Sequence, residues 1–444
     1  MRPSTRAHRE QTVYRVPWGD GVKELRIPRA AISAELRFTD LPPVESLPSA
    51  LVEALDNPIG RPALRDLVRP GARVALLTGD RFTDRILGSR DGLGHVILDY
   101  LNAAGVPDER VTLVFAPGTH PHRNADEKLG PSLIGRVGRY VKHDATRDED
   151  LVFRGYTSRG NAIWINRHVA EADVVVGVGE ISPNSHGGWT GGGKIILPGV
   201  AGEASVEQNH RNLMLPEIPL GLADGNPLRL DMEEAADLAG LTFKVDVLIN
   251  SAEQVVAIYA GDFRKAHRAA LPQAREIWMT RMEPADVCVF YPGDVRERSL
   301  ETSLFITITA ADLATKPDGI LIGCLSAVEG YSRGPAMPYN GKLTGRDVLK
   351  MSAEAIARDM IRRAGNIRTA SMHFASRRTL ERKRVYLVCD GVDPAEAGEF
   401  GFAATYRSFD EALGRALDER GPTATVAVSL PSLVTYRTMP WREG

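Results

Sequence analysis

From Arg73 onward the chain alternates short, β-branched apolar runs with stretches of helical periodicity, and this alternation narrows the available folds more than any other feature. Residues 73–77 (RVALL) read as a buried strand ending in the turn Thr78-Gly79-Asp80. Residues 94–104 have helical spacing and close at Gly105, and 111–115 form a second strand opening into Ala116-Pro117-Gly118-Thr119-His120. A polar helix is expected near 124–140, a strand at 173–178, and two more at 243–249 and 255–259. A second set comes after residues 279–284: a strand at 286–290, a helix at 300–314, a strand at 319–324, a long amphipathic helix at 346–364, and strands at 384–389 and 423–428. Strands separated by helices pair in parallel, because the crossover brings the chain back to its starting edge. The expected fold class is α/β: two α/β domains with mainly parallel sheets, residues 1–280 and 281–444, and an active site in the inter-domain cleft. The carboxyl ends of the strands carry the site in such sheets, which singles out the loops 78–85, 116–123 and 180–198.

Composition removes several function classes. Lys and Arg number 55 against 57 Asp and Glu, a net charge of −2, so nothing electrostatic recommends a nucleic acid or an anionic membrane as partner. The three cysteines, Cys288, Cys324 and Cys389, are odd in number and far apart, which fits buried thiols and neither a disulfide framework nor a thiolate metal clamp. No run of eighteen apolar residues exists, and the opening MRPSTRAHREQ has no apolar core of the signal-peptide kind. The expectation is a cytoplasmic protein with no membrane partner.

The densest feature is residues 180–200, EISPNSHGGWTGGGKIILPGV. Glycines at 187, 188, 191, 192 and 193 allow close backbone approach to a ligand and can turn N–H groups toward an anion. Lys194 comes next and offers a charge or an amine nucleophile. Residues 188–194 satisfy the first part of a P-loop, but Ile195 stands where a magnesium-binding hydroxyl belongs. A flexible glycine turn with a solvated lysine is the plainer alternative. Residues 203–214 read as a helix carrying His210, sixteen residues after Lys194; alone it reads as a surface or capping histidine, but a strand-turn-helix return can bring it and Lys194 to one pocket. His120, just past a buried strand, suits a general base, since imidazole titrates near neutrality; the alternative is a loop histidine bonded to a local carbonyl. His122 reads as a bystander, and His143-Asp144 as an oriented imidazole or, in preference, a helix start with the aspartate as cap.

The Gly118-Thr119-His120 triplet, the GWTGGGK at 188–194 with ILPG at 196–199, and Asn209-His210 together resemble the lactate racemase family. The resemblance extends over most of the chain and implies a nickel-pincer nucleotide, a pyridinium bis-thiocarboxylate mononucleotide carrying nickel. Lys194 would be its covalent attachment point and His210 the protein's ligand to the metal, which explains why no cysteine is needed. Thr190, Gly191 and Gly192 would hold the nucleotide phosphate, and Asp80 would stand near cofactor and substrate. The implied reaction is racemisation or epimerisation of a 2-hydroxy acid by reversible hydride transfer from Cα, with histidine as acid and base. His120 matches one of two catalytic histidines in the family. The resemblance also implies cofactor-synthesis enzymes as partners and a small 2-hydroxy acid as substrate.

Departures from the family pattern point away from lactate. The second catalytic histidine falls on Asn184, with His186 two residues later, and an amide is no base. The arginine three residues after Asp80 is replaced by Thr83, with Arg85 beyond it. A Tyr-Gln pair and a subsequent Lys fall on Arg298, Ser299 and Thr302, so the carboxylate clamp is rebuilt, with Arg85, Arg296 and Arg298 as cationic candidates. A larger or differently charged 2-hydroxy acid is expected. The alternatives are a different hydride-transfer reaction on the same cofactor, or a non-catalytic nucleotide-binding relative.

Overall fold

A computed structural model describes residues 10–80, 82, 84–120, 124–214, 220–293, 296–430 and 439–441. They form two compact units: Asp40–Ile277, and a second made of Trp278 onward together with the described residues up to Thr39. Each is an α/β structure around a six-stranded, mainly parallel sheet, the class expected from the alternation of strands and helices.

In the unit Asp40–Ile277 the strand order is Val255–Gly261, Leu241–Ile249, Val174–Glu180, Val74–Thr78, Val111–Phe115, Arg139–Lys142. All neighbours are parallel except the edge pair Leu241–Ile249 and Val255–Gly261. The first strand of this unit, Val74–Thr78, therefore lies in the middle, with Val111–Phe115 and Arg139–Lys142 on one side and Val174–Glu180 on the other. The two sets of crossovers run in opposite directions, which opens a crevice at the carboxyl ends of Val74–Thr78 and Val174–Glu180. The five residues of Val74–Thr78 are all buried, as a central strand covered on both faces requires.

The expected polar helix at 124–140 is two short helices, Ala125–Leu129 and Pro131–Arg136, with the edge strand Arg139–Lys142 after them. Gly130 at φ 73° ends the first and Pro131 opens the second, and the edge strand is too polar to read as one. The expected helix at 203–214 stops at His210 and tightens into a 3-10 turn, Arg211–Met214. His143 starts no helix. It is buried, with Nε2 on the Ala201 carbonyl at 3.0 Å and Nδ1 beside Asn166 Nδ2 at 3.3 Å.

The second unit's sheet runs Ala404–Tyr406, Arg384–Val388, Thr315–Cys324, Ala285–Phe290, Val426–Ser429, Ile32–Glu35, all parallel. A domain of residues 1–280 is thus corrected at its start: Ile32–Glu35 pairs with Val426–Ser429, so the first segment completes the C-terminal sheet. Its short, half-polar run carried no strand pattern that could announce a partner some 390 residues away. The single helix expected at 346–364 is two, Gly345–Lys350 and Ala353–Arg362, because Ser352 caps the second by accepting from the Ala355 N–H. Cys288, Cys324 and Cys389 are free and buried, and burial pushes the Cys288 thiol up to about 12. No described helix is long and apolar enough to cross a membrane.

Asp286 ties three strands of this sheet. Its carboxylate accepts from the Thr425 N–H at 3.0 Å, the Thr425 hydroxyl at 2.8 Å and Lys316 Nζ at 2.9 Å. Burial alone would raise its pKa, but these donors win and hold it at about 2. A depressed carboxylate contributes stability that is complete above the unfolded value of about 4 and disappears as pH falls through about 2. Asp286→Asn should lower stability at neutral pH by about 2 kcal/mol and flatten the loss of thermal stability between pH 4 and 2, measured as melting temperature across that range.

Candidate active site

Thr78 is paired with Phe115 on one side and with Val178 on the other. The three loops that leave these strands therefore start from one edge of the sheet, and they carry Asp80, His120 and the stretch from Glu180. His120 Nδ1 lies 2.8 Å from Asp80 Oδ2. An ionised carboxylate only accepts, so in the neutral imidazole Nδ1 carries the proton and Nε2 the lone pair. Lys128 Nζ donates to the Asp80 carbonyl, fixing the residue from behind. The Gly118 N–H donates to the Gly199 carbonyl at 2.9 Å, joining the histidine turn to the end of the lysine loop. The His120 side chain remains 54% exposed, open to a substrate.

The glycine-rich loop is a tight hairpin, Pro183–Asn184 against Gly188–Trp189, and it leads into the 3-10 turn Gly192–Ile195 that carries Lys194. Asn184 Oδ1 accepts from the N–H groups of His186 at 3.0 Å and Gly187 at 2.9 Å, so its acceptor is spent on shaping the turn. His186 is the residue set beside His210, with ring centroids 4.7 Å apart at 42°. Desolvation first, then the charges of Lys194 and His120, push the His210 imidazole down to about 3, against a weaker pull from the Val206 backbone. His210 is thus neutral at physiological pH, and its buried Nδ1 makes no hydrogen bond among the described residues. Asp80, His120, His186, Lys194 and His210 come together in this unit, as the loop positions suggested.

Thr190, Gly191 and Gly192 do not form the expected phosphate cradle. The Thr190 hydroxyl donates to the Glu180 carbonyl at 2.7 Å and accepts from the Ser182 N–H at 2.7 Å, closing the loop on itself. Gly192 N–H donates to Asp246 Oδ2 at 2.8 Å. Gly191 sits at φ 76°, and a Cβ there would lie 2.8 Å from Ile181 Cγ1 and 2.9 Å from Asp246 Oδ1. Gly191 and Gly192 are pressed against protein, and the Thr190 and Gly192 N–H groups are spent inside it, on the Ser182 carbonyl and on Asp246.

Below the loop lies a set of buried polar side chains that the sequence reading passes over. Arg229, fully buried on the helix Pro227–Ala239, donates to the carbonyls of Gly187 at 3.1 Å, Gly191 at 2.9 Å and Trp189. His267 Nε2 donates to the Thr190 carbonyl at 2.8 Å, and Lys244 is paired with Asp246, both fully buried. The one sequence signal was charge at positions where the helix and strand patterns call for apolar residues.

In the second unit the residues expected to hold substrate stand at the carboxyl end of Ala285–Phe290, where that sheet's crossovers also diverge. Arg298 is committed to Asp20 at 3.0 Å and Glu329 at 3.2 Å, and Ser299 is buried just before the helix Leu300–Leu313. The Thr302 side chain and all of Thr83 lie outside the described residues. Glu297, also unforeseen, is buried and accepts from the N–H groups of Gly19 at 3.1 Å and Ser326 at 2.9 Å, fixing this turn. Arg85 is exposed, makes no ion pair among the described residues, and reaches only the Ala252 carbonyl at 3.4 Å.

Two neighbouring glycines separate packing from freedom. Gly188 has φ 73°, and a Cβ would sit 1.8 Å from the Leu222 carbonyl oxygen, whereas at Gly187 the nearest atoms are side-chain ends 3.3 Å away. Gly188→Ala should destabilise the protein by about 3 kcal/mol or more and Gly187→Ala by less than about 1 kcal/mol, compared by chemical denaturation.

A family model, the lactate racemase N-terminal domain, matches residues 18–220. A lactate racemase from Thermoanaerobacterium thermosaccharolyticum is 30% identical over 286 residues, 63% of this chain and 65% of that relative. A lactate racemase from Lactiplantibacillus plantarum is 26% identical over 387 residues, 85% of this chain and 87% of that relative. The solved apoprotein of the Thermoanaerobacterium thermosaccharolyticum lactate racemase shares the fold, with a TM-score of 0.80 and 24% identity over 97% of this chain and 100% of that one. A Thermotoga maritima protein shares it more loosely, with a TM-score of 0.58 and 16% identity over 90% of this chain and 99% of that one. Residues 18–220 thus match the lactate racemase N-terminal domain, and these two relatives are both lactate racemases, which are isomerases.

Proposed function

We propose that this protein is a nickel-pincer-nucleotide-dependent racemase or epimerase of a 2-hydroxy acid other than lactate. The observation that carries the reading is the grouping of His120, His186 and Lys194 around His210. The donor set fits the cofactor: a neutral imidazole with a buried, unbonded nitrogen suits a metal, and a lysine close enough for its charge to act on that ring suits covalent attachment. Among the described residues no cluster of three His, Cys, Asp or Glu is arranged to hold a metal, and this cofactor asks the chain for a single nitrogen. When bound, it supplies an acceptor for hydride from the substrate's Cα. With the Thr190 hydroxyl and the Thr190 and Gly192 N–H groups engaged within the protein, the nucleotide phosphate needs donors other than these.

The chain's own part is proton handling and orientation. His120, held by Asp80 through Nδ1, offers Nε2 to the substrate hydroxyl as general base. His186 is the second base, one histidine serving each enantiomer, and Asn184 holds the turn that carries it. Arg85 is the cation available to a substrate carboxylate; Arg298, already paired twice, shapes its loop instead. The altered positions at 83, 298, 299 and 302 favour a larger or differently charged acid.

The test is protein produced together with the cofactor-synthesis enzymes. Bound nickel, a mass adduct on Lys194, and racemisation of one member of a 2-hydroxy-acid panel without release of keto acid are expected; no nickel and no adduct would refute the proposal. Lys194→Ala should abolish the adduct. His120→Ala and His186→Ala should each keep the adduct and lower turnover by about 100-fold or more.

A further inference from the structure

The loop between His186 and Lys194 is held by distant side chains along nearly its whole length. The His186 carbonyl accepts from Asn226 Nδ2 at 3.0 Å. The carbonyls of Gly187, Trp189 and Gly191 accept from Arg229, and that of Thr190 accepts from His267. The Gly188 carbonyl accepts from the Gly221 N–H at 3.2 Å, and the Gly192 N–H donates to Asp246. The backbone groups of seven consecutive residues, 186–192, are thereby engaged.

Arg229 is the centre of this arrangement. Three loop carbonyls from alternate residues face one guanidinium, whose donors are fixed in a planar fork. An ammonium has three donors on one atom and cannot match that spread. Burying the cation is costly, because none of its bonds in the loop is to a carboxylate; Glu233 and Asp246 offset the charge only through space. A Leu or Met would cover the same helix face without a buried charge, but would strand three buried carbonyls and leave the loop free to choose other conformations. The asparagine that caps the helix extends the grip: Asn226 Oδ1 accepts from the Leu228 and Arg229 N–H groups while its Nδ2 holds the His186 carbonyl. One helix start thus fixes both the loop and the orientation of Arg229.

We propose that Arg229 is a positioning residue that sets the placement of His186 and Lys194 relative to each other by clamping the carbonyls of Gly187, Trp189 and Gly191. The proposal rests on His186 and Lys194 being the working residues, so its first readout is independent of turnover. In the apoprotein, each lysine is modified by reductive methylation over a pH range and tracked by mass spectrometry. Arg229→Lys should change the rate at Lys194 by 5-fold or more and leave Lys350 unchanged. In the loaded enzyme the same variant should lower kcat by 10- to 100-fold, with KM within about 3-fold and nickel content per chain preserved. An unaltered Lys194 profile, with only a lower melting temperature, would make Arg229 a structural support and overturn the proposal. Hydrogen exchange of the wild-type chain does not depend on the variant folding. The amides of 186–194 should be protected as well as those of Val174–Glu180, and rapid exchange there would equally overturn it. If the chain never loads cofactor, the proposed function fails while the methylation and exchange comparisons still decide the role of Arg229.

Discussion

The register of three parallel strands governs everything else at the site. Thr78, Phe115 and Val178 stand side by side, so three loops distant in sequence leave the sheet from one edge. Because the chain begins its sheet in the middle and grows outward in both directions, that edge coincides with the place where crossovers diverge. The Asp80–His120 pair is a direct result: two side chains from neighbouring strand ends meet at 2.8 Å. A slip of register by one residue would move His120 off Asp80 and send the buried faces of Val74–Thr78 and Val111–Phe115 to the wrong side.

Polar burial shapes the rest of the site. Arg229, Lys244, Asp246 and His267 form a wet-looking composition in a dry place, and each is satisfied by loop backbone or by a partner. Such a layer is poorer than hydrocarbon as a source of stability but far better at selecting one loop conformation, since any other leaves donors and acceptors unpaired. The glycines belong to the same logic. They are the residues thin enough to let the loop descend onto this layer, and Gly191, lying against Ile181 and Asp246, shows it most clearly.

Much of this was legible in the sequence. The strand Val111–Phe115 lies where the apolar run places it, and the loops after three strands hold the candidate residues. The motif residues His120, Lys194 and His210 carry their own signal through spacing. Other features were illegible for physical reasons. Glycine spacing cannot say which way a backbone N–H points, so the engagement of the Thr190 and Gly192 N–H groups within the protein needed coordinates. Whether Asn184 or His186 lies beside His210 depends on which side chain the turn consumes, and Asn184 is consumed. Arg229 and His267 sit in helices whose periodicity describes their apolar neighbours. The break at Ser352 depends on one hydroxyl outcompeting helix continuation, which a pattern of apolar residues does not register.

The pairing of Ile32–Glu35 with Val426–Ser429 has a bearing on how the chain comes off the ribosome. The strand Ile32–Glu35, made early, waits for almost the last strand before it finds its neighbour, while the whole unit Asp40–Ile277 can complete itself in between. Closing the second sheet is then a late, entropically expensive event that spans nearly the full length of the polypeptide. Until it happens, Val426–Ser429 is an unprotected sheet edge of the kind that recruits other chains, so the early segment acts as a cover for a surface that does not yet exist when the segment is made.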